Sequence, residues 1–224
     1  MQNMLRWASL ALLVAAPAAA QQKPPKGQNV ALVTTSIAGQ PVAVLPLTMV
    51  LADRRVPGTG SSGARATLAR WADSLLADAL TERAAEVTWI LPPALRNVAR
   101  RSAGMVPNPD QMGHSVMRSP ALKEVPDPLR SYLRQLLGLA SGARYAFIPA
   151  SLTIVPAGAN GDSLSVSLSA VLVDGRLGRV VWRTWAVGTG EDADAAYHAA
   201  LGTLFVPESG TGPDGGTAGR PEGR

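Results

Sequence analysis

The clearest pattern of hydrophobic and polar positions lies in three long segments near the carboxyl end of the chain. Between Leu164 and Val173, apolar side chains occupy every second position, and serines occupy most of the positions between them. A period of two is typical of a β-strand with one buried face and one wetter face. The three predicted strands are Arg144–Val155, Leu164–Val173 and Arg179–Gly188, and Asn-Gly-Asp and Asp-Gly-Arg sequences predict tight turns between them.

Upstream of this meander, the pattern predicts shorter strands that alternate with amphipathic helices. The segment 41–47 is nearly all apolar, as expected for a strand that is covered on both faces. Apolar side chains recur every three to four residues in Ala64–Ala85, which predicts a long amphipathic helix. The other predicted elements are a strand at Val87–Leu91 and helices at Ala94–Ser102, Pro128–Leu139 and Glu191–Phe205. This order predicts a single α/β domain.

The first twenty residues have the order of a secretory signal peptide. Arg6 precedes the apolar run Trp7–Ala16, and three alanines at 18–20 predict cleavage before Gln21. The predicted organisation is a signal peptide at 1–20, a flexible leader at 21–40, the α/β domain at 41–206 and a disordered tail at 207–224. We therefore expect a periplasmic or secreted protein with no transmembrane segment in the mature chain.

Cysteine and charge content narrow the function classes. The chain of 224 residues has no cysteine, which excludes disulfides and the lipidated cysteine of an exported lipoprotein. Its formal net charge is +5, and removing Arg6 from the 21 basic residues leaves 20 against 16 acidic ones. The basic residues are scattered rather than gathered in a stripe, so we expect no nucleic-acid partner.

Residues 103–128 interrupt the pattern with five prolines and two glycines. A long irregular insertion in a compact domain is usually mobile or functional. Here it contains Met105, Met112, His114 and Met117, whose thioether and imidazole groups are ligands that suit copper(I). The alternative is that the methionines rest on the domain surface. Because one imidazole and scattered thioethers leave the geometry open, these four are weak metal candidates and no cofactor is predicted.

The residues of familiar active sites do not occur in the required order. A hydrolase triad needs a histidine beside an activated nucleophile, and only His114 and His198 are available. The chain also lacks the H-E-x-x-H and P-loop motifs. We therefore predict a protein without enzymatic activity, with a hydrolase of unfamiliar site as the alternative.

The last predicted strand suggests where a partner binds. Trp182 and Trp185 are three residues apart and therefore project to opposite faces. If Trp182 joins the helices, Trp185 and Arg183 share the face that the serines line, and Tyr145 and Phe147 are expected to join it. Aromatic residues and arginine are enriched in interface hot spots. The predicted partner-binding residues are Tyr145, Phe147, Arg183 and Trp185, and the alternative is that the insertion folds back over this face.

Several passages together resemble a known group of envelope proteins. They are Val42–Leu47, Leu75–Leu80, Val87–Leu95, Leu139–Ile148, and the hairpin formed by Val171–Asp174 and Gly178–Arg183. Over about residues 41–205 the chain resembles the bacterial envelope group that includes CsgG-like proteins, the LpoB-type activators of peptidoglycan synthases and the amino-terminal domain of TolB. The segments that build the CsgG pore are not recognisable, and the lipidated cysteine is absent.

The resemblance implies a mixed, mostly antiparallel sheet with helices packed mainly on one side, as in anticodon-binding domains. It also implies a role in envelope assembly through protein contacts. The predicted function is a non-catalytic periplasmic adaptor or regulator that binds another cell-envelope component. The alternative is a small-ligand or copper carrier that uses the Met/His loop. The expected partner is an envelope protein, and homo-oligomerisation is left open.

Overall fold

The computed structural model describes residues 29–56, 62–158 and 162–205. The strands are β1 (Pro41–Val44), β2 (Val50–Ala52), β3 (Thr88–Ile90), β4 (Tyr145–Ala157), β5 (Ser163–Asp174) and β6 (Arg179–Gly190). The helices are α1 (Ser62–Arg83), α2 (Pro92–Arg101), α3 (Leu129–Leu139) and α4 (Ala193–Gly202), and short 3-10 turns occur at Thr34–Ile37, Pro109–Gln111 and His114–Arg118. The predicted signal peptide and carboxyl-terminal tail lie outside the described residues.

The strands form one mixed sheet in the order β3-β1-β4-β5-β6. The long strands β4, β5 and β6 pair antiparallel, whereas β1 runs parallel to both β3 and β4. The short strand β2 also runs parallel to β4 and pairs with Leu152–Ile154, beyond the part that pairs with β1. The predicted α/β class is confirmed, and most of the pairing is antiparallel.

Helices cover both faces of this sheet. Val42 and Val44 of β1 belong to a core that includes α1 and α4, whereas Ala43 and Leu45 belong to a second core with α2, α3 and the insertion. The expectation of helices mainly on one side is therefore wrong. The continuous apolar run at 41–47 explains why, because a strand with apolar side chains on both faces needs cover on both.

A β-bulge divides β4 into two halves with opposite phase. Pro149 pairs with Ala170 and Ser151 pairs with Ser169, so Ala150 between them has no partner in β5. As a result, Phe147 and Leu152 lie in the same core although one number is odd and the other even. The extra residue reverses the alternation from that point onward.

Helix α4 packs directly on the backbone of β6. A Cβ atom added at Gly188 would lie 2.3 Å from the carbonyl oxygen of Ala196 and 2.3 Å from the amide nitrogen of Ala200. Glycine is therefore needed here for close approach of helix and strand.

The described part of the leader packs beside this helix. Leu32 is buried and forms a parallel bridge with Phe205, and the indole nitrogen of Trp182 donates to the carbonyl of Val30 at 3.0 Å. No helix in the described ranges is both long and apolar enough to cross a bilayer.

The insertion lies over the face that α2 and α3 cover. Val106, Met112, Met117 and Val125 are buried in that core. Farther along, Glu124 forms an antiparallel bridge with Arg179 at the start of β6. The insertion therefore covers one half of this sheet face and the start of the edge strand.

Candidate functional site

The other half of the same sheet face carries hydroxyl groups, two valines, a leucine and one tryptophan, and we call it the open sheet face. Cross-strand pairing places Thr153, Ser167 and Val187 in one row and Val155, Ser165 and Thr189 in the next. Its members are Leu51, Thr153, Val155, Ser165, Ser167, Trp185, Val187 and Thr189, all partly or fully exposed. None of them belongs to either hydrophobic core.

Trp185 lies where the open sheet face meets the covered half. It pairs with Ser169, which pairs with Ser151, and both serines are buried. The hydroxyl oxygen of Ser169 has no hydrogen-bond partner within the described ranges. Trp185 is partly exposed, and it makes no hydrogen bond or ring contact with a described residue.

Arg183 marks the limit of the insertion on this face. It pairs with Val171, one row before Trp185, and its guanidinium donates to the carbonyls of Met117 and Leu122, the latter at 2.9 Å. Burial lowers the pKa of Arg183. The insertion therefore folds back over this face as far as Arg183, in line with the alternative. From Trp185 onward, the rows of the face lie outside both cores.

Tyr145 and Phe147 lie on the opposite face from Trp185, so the expectation that all four residues share a face is wrong. Phe147 is fully buried and pairs with Leu172, which pairs with Trp182. The ring centroids of Phe147 and Trp182 are 6.0 Å apart. Tyr145 is partly buried against the same core. The structure thus brings together Arg183 and Trp185 alone from the predicted set, and their role in binding stays a prediction.

The Met/His loop is spread over buried and exposed positions. Met112, His114 and Met117 are buried, whereas Met105 is 67% exposed. The Nε2–H of His114 donates to the carbonyl of Pro46 at 2.7 Å, and burial lowers the pKa of its imidazole. In this tautomer Nδ1 is an acceptor, and it is buried without a partner among the described residues. The histidine therefore links the insertion to the segment after β1.

A second polar cluster, which the sequence pattern did not indicate, connects α1, α2 and the insertion. The carboxylate of Asp73 accepts from the amide of Leu47 at 2.7 Å, and one of its oxygens lies 3.7 Å from the guanidinium of Arg96. Arg96 also makes two hydrogen bonds to Asp110, at 2.9 Å and 2.7 Å. Burial raises the pKa of Asp73 to about 6, against the lowering effects of the Leu47 amide and Arg96.

Asp73 lies off the apolar stripe of the helix, so the periodicity alone gives no sign that it is buried. Its contacts come from residues far away in the chain, so no local signal could reveal them. Since each charged group here has a protein partner, the geometry is that of a cluster that fastens two helices and a loop to the end of β1.

No family model matches the chain, and no curated protein is significantly similar in sequence. Among solved structures, Escherichia coli LpoB is 14% identical with a TM-score of 0.37, over 84% of this chain and 86% of that chain. The lipoprotein GNA1162 of Neisseria meningitidis is 18% identical with a TM-score of 0.34, over 73% and 89%. A PelC dodecamer of Paraburkholderia phytofirmans is 17% identical with a TM-score of 0.32, over 78% and 88%. At these identities and TM-scores the similarity carries no inference about function.

Proposed function

We propose that this protein is a non-catalytic adaptor or regulator of the bacterial cell envelope that binds another envelope protein through the open sheet face. The observation that carries the proposal is Trp185, an aromatic side chain that makes no hydrogen bond or ring contact with the described residues at the rim of a face outside both cores. Tryptophan is among the residues most enriched in interface hot spots.

The surroundings of Trp185 suit a protein partner. Thr153, Ser165, Ser167 and Thr189 offer exposed or partly exposed hydroxyls farther along the face. Leu51, at the β2 side of the face, is 43% exposed. A centre with tryptophan and aliphatic side chains and many neutral hydrogen-bonding groups has the composition of a protein–protein interface.

The compartment in this proposal rests on the predicted signal peptide, which lies outside the described residues. The envelope partner rests on the sequence resemblance to LpoB-type and related proteins. The CsgG and TolB parts of that resemblance also stay predictions.

Site-specific crosslinking tests the proposal. Because the chain contains no cysteine, Ser167→Cys creates a single thiol on the open sheet face that can carry a photoreactive maleimide. Ser74→Cys, at an exposed position on α1, is the matched control. In envelope extract we expect one defined crosslinked protein from Ser167→Cys and none from Ser74→Cys. Equal adducts from both positions, or no adduct from Ser167→Cys, would contradict the proposal.

Truncation of two tryptophans separates binding from folding. Trp185→Ala should abolish the crosslink and lower the free energy of unfolding by less than Trp182→Ala does, because the Trp185 side chain lies outside both cores. Trp182→Ala should lower it by about 3–5 kcal/mol, because this ring packs on Phe147 in the core. If Trp185→Ala destabilises the protein as much as Trp182→Ala and leaves the crosslink intact, Trp185 is a core residue.

The copper-carrier alternative rests on one observation, the buried and unpartnered Nδ1 of His114. Met112 and Met117 are both buried in the core formed with α2 and α3, so this core contains two thioether groups. Against this, Met105 is 67% exposed and lies outside that core.

A further inference from the structure

The end of the sheet at the β5–β6 turn carries five cationic side chains, and we call it the turn end. Its cations are Lys123, Arg130, Arg134, Arg176 and Arg179. None of them forms a salt bridge with a carboxylate in the described ranges, and the nearby Asp174 pairs with Arg144 at 2.8 Å. The other acids close by in the chain, Glu124 and Asp127, form no salt bridge with a described residue.

Backbone carbonyls, and not carboxylates, hold two of these arginines. Arg130 donates to the carbonyl of Leu177 at 3.0 Å, and Arg134 donates to the carbonyl of Arg176 at 3.2 Å. A carbonyl orients a guanidinium but does not neutralise it, so the positive charge of the turn end stays available to a ligand.

The turn presents an apolar tip between these cations. Leu177 and Val181 are 54% and 51% exposed. The carboxylate of Asp174 accepts from the amides of Arg176 and Leu177, both at 3.0 Å, which fixes the turn. Leu177 is thus an exposed apolar residue on a hydrogen-bonded turn, with Arg176 and Arg179 beside it in the chain.

Shallow pockets lie on both sides of the turn. The lining of one, of about 350 Å³, includes Leu177, Val181 and Arg179, and the lining of the other, of about 230 Å³, includes Leu137, Arg134 and Arg176. Each combines apolar walls with at least one cation, and neither is lined by an acidic residue. This is the chemistry that accepts an anionic headgroup next to hydrocarbon.

We propose that the turn end docks on a lipid bilayer surface that contains anionic headgroups. Arginine and lysine bind the lipid phosphates, and Leu177 and Val181 enter the interfacial layer, as exposed apolar residues ringed by cations do. A protruding tip with separated apolar side chains fits a fluid surface better than it fits an acidic peptide, which would need a continuous groove. The inference goes beyond the proposed function, because its ligand is a lipid surface rather than a protein.

The two surfaces lie at different positions along the sheet. Strand β6 begins at the turn end with Arg179 and reaches the open sheet face at Trp185, six residues later, which spans about 20 Å. A protein docked through the turn end therefore holds the open sheet face away from the bilayer, where a partner can reach it.

Vesicle co-sedimentation tests this inference with protein purified from cells that express the full chain. The probes are vesicles of phosphatidylcholine mixed with phosphatidylglycerol and vesicles of phosphatidylcholine alone. The turn variant is Arg176→Gln with Arg179→Gln, and the matched control is Arg65→Gln with Arg70→Gln on α1, which removes the same charge from exposed positions elsewhere. Because each cation near an anionic surface contributes about 1 kcal/mol, we expect the turn variant to bind about 30-fold more weakly.

The apolar contribution has its own variant pair. Leu177→Ser should weaken binding severalfold, whereas Val33→Ser, which is equally exposed at 54%, should not. Urea unfolding of every variant shows whether the fold is intact, which we expect because all these side chains are exposed.

Equal binding to both vesicle types, or equal losses in the turn variant and its control, would overturn the inference. Soluble polyglutamate distinguishes a lipid surface from an acidic protein segment. If polyglutamate binds in a way that depends on Arg176 and Arg179 while phosphatidylglycerol vesicles do not bind, the turn end recognises acidic chains and the lipid proposal is wrong. The loss of the crosslink in Trp185→Ala tests the proposed function, and it does not depend on any of these vesicle or polyglutamate results.

Discussion

The carboxyl group of Asp73 should make the stability of this protein fall as pH rises. Its side chain is only 12% exposed, and burial raises its pKa from the usual 3.8 to about 6 in the folded state. The folded protein therefore binds this proton more tightly than the unfolded chain does. The stability that Asp73 contributes is fully present below about pH 4 and is lost as pH rises through about 6. A pKa difference of about two corresponds to about 3 kcal/mol.

Asp73→Asn removes the ionisable group while keeping an oxygen that can accept from the amide of Leu47. We expect the variant and the natural protein to have similar free energies of unfolding near pH 4, and the variant to be more stable by up to about 3 kcal/mol above pH 6. Urea unfolding across this pH range measures the difference. Asp78→Asn, at an exposed position on the same helix, is the control and should not change the pH dependence. Curves for Asp73→Asn that run parallel to those of the natural protein would refute the reasoning.

Two further predictions concern close packing and metal binding. Gly188→Ala should lower the free energy of unfolding by about 1–3 kcal/mol, because the new methyl group meets the backbone of α4. Gly138→Ala, where the new methyl group faces open space, should raise the free energy of unfolding by up to about 1 kcal/mol. Thermal and urea unfolding compare the two variants. Titration with copper(I) against a competing chelator should show only weak binding, because one imidazole nitrogen of His114 is committed to Pro46. Submicromolar affinity that is lost in His114→Ala would instead favour the carrier function.

Local periodicity was enough to predict the three long strands and the opposite faces of the last one, but not the short strand β2. The alternation between Leu164 and Val173 predicted a strand with one buried face, and the spacing of Trp182 and Trp185 placed them on opposite faces, as the pairing of β5 with β6 confirms. Both inferences hold because successive side chains of a strand point in opposite directions whatever the rest of the chain does. The α/β class followed in the same way from the order of strand-like and helix-like periods.

Tertiary structure decided how these elements are matched and covered. Phe147 lies in one cross-strand row with Leu172 and Trp182, on the face that the α1/α4 core covers. The bulge at Ala150 then reverses which side chains of β4 face that core. Asp73 is buried by Leu47 and Arg96, which come from other elements. The limit of the insertion at Arg183, which leaves the open sheet face outside the cores, depends on carbonyls more than sixty residues earlier. Strand register and burial are set by contacts between distant segments, and a local pattern of apolar and polar residues carries no record of which segments will meet.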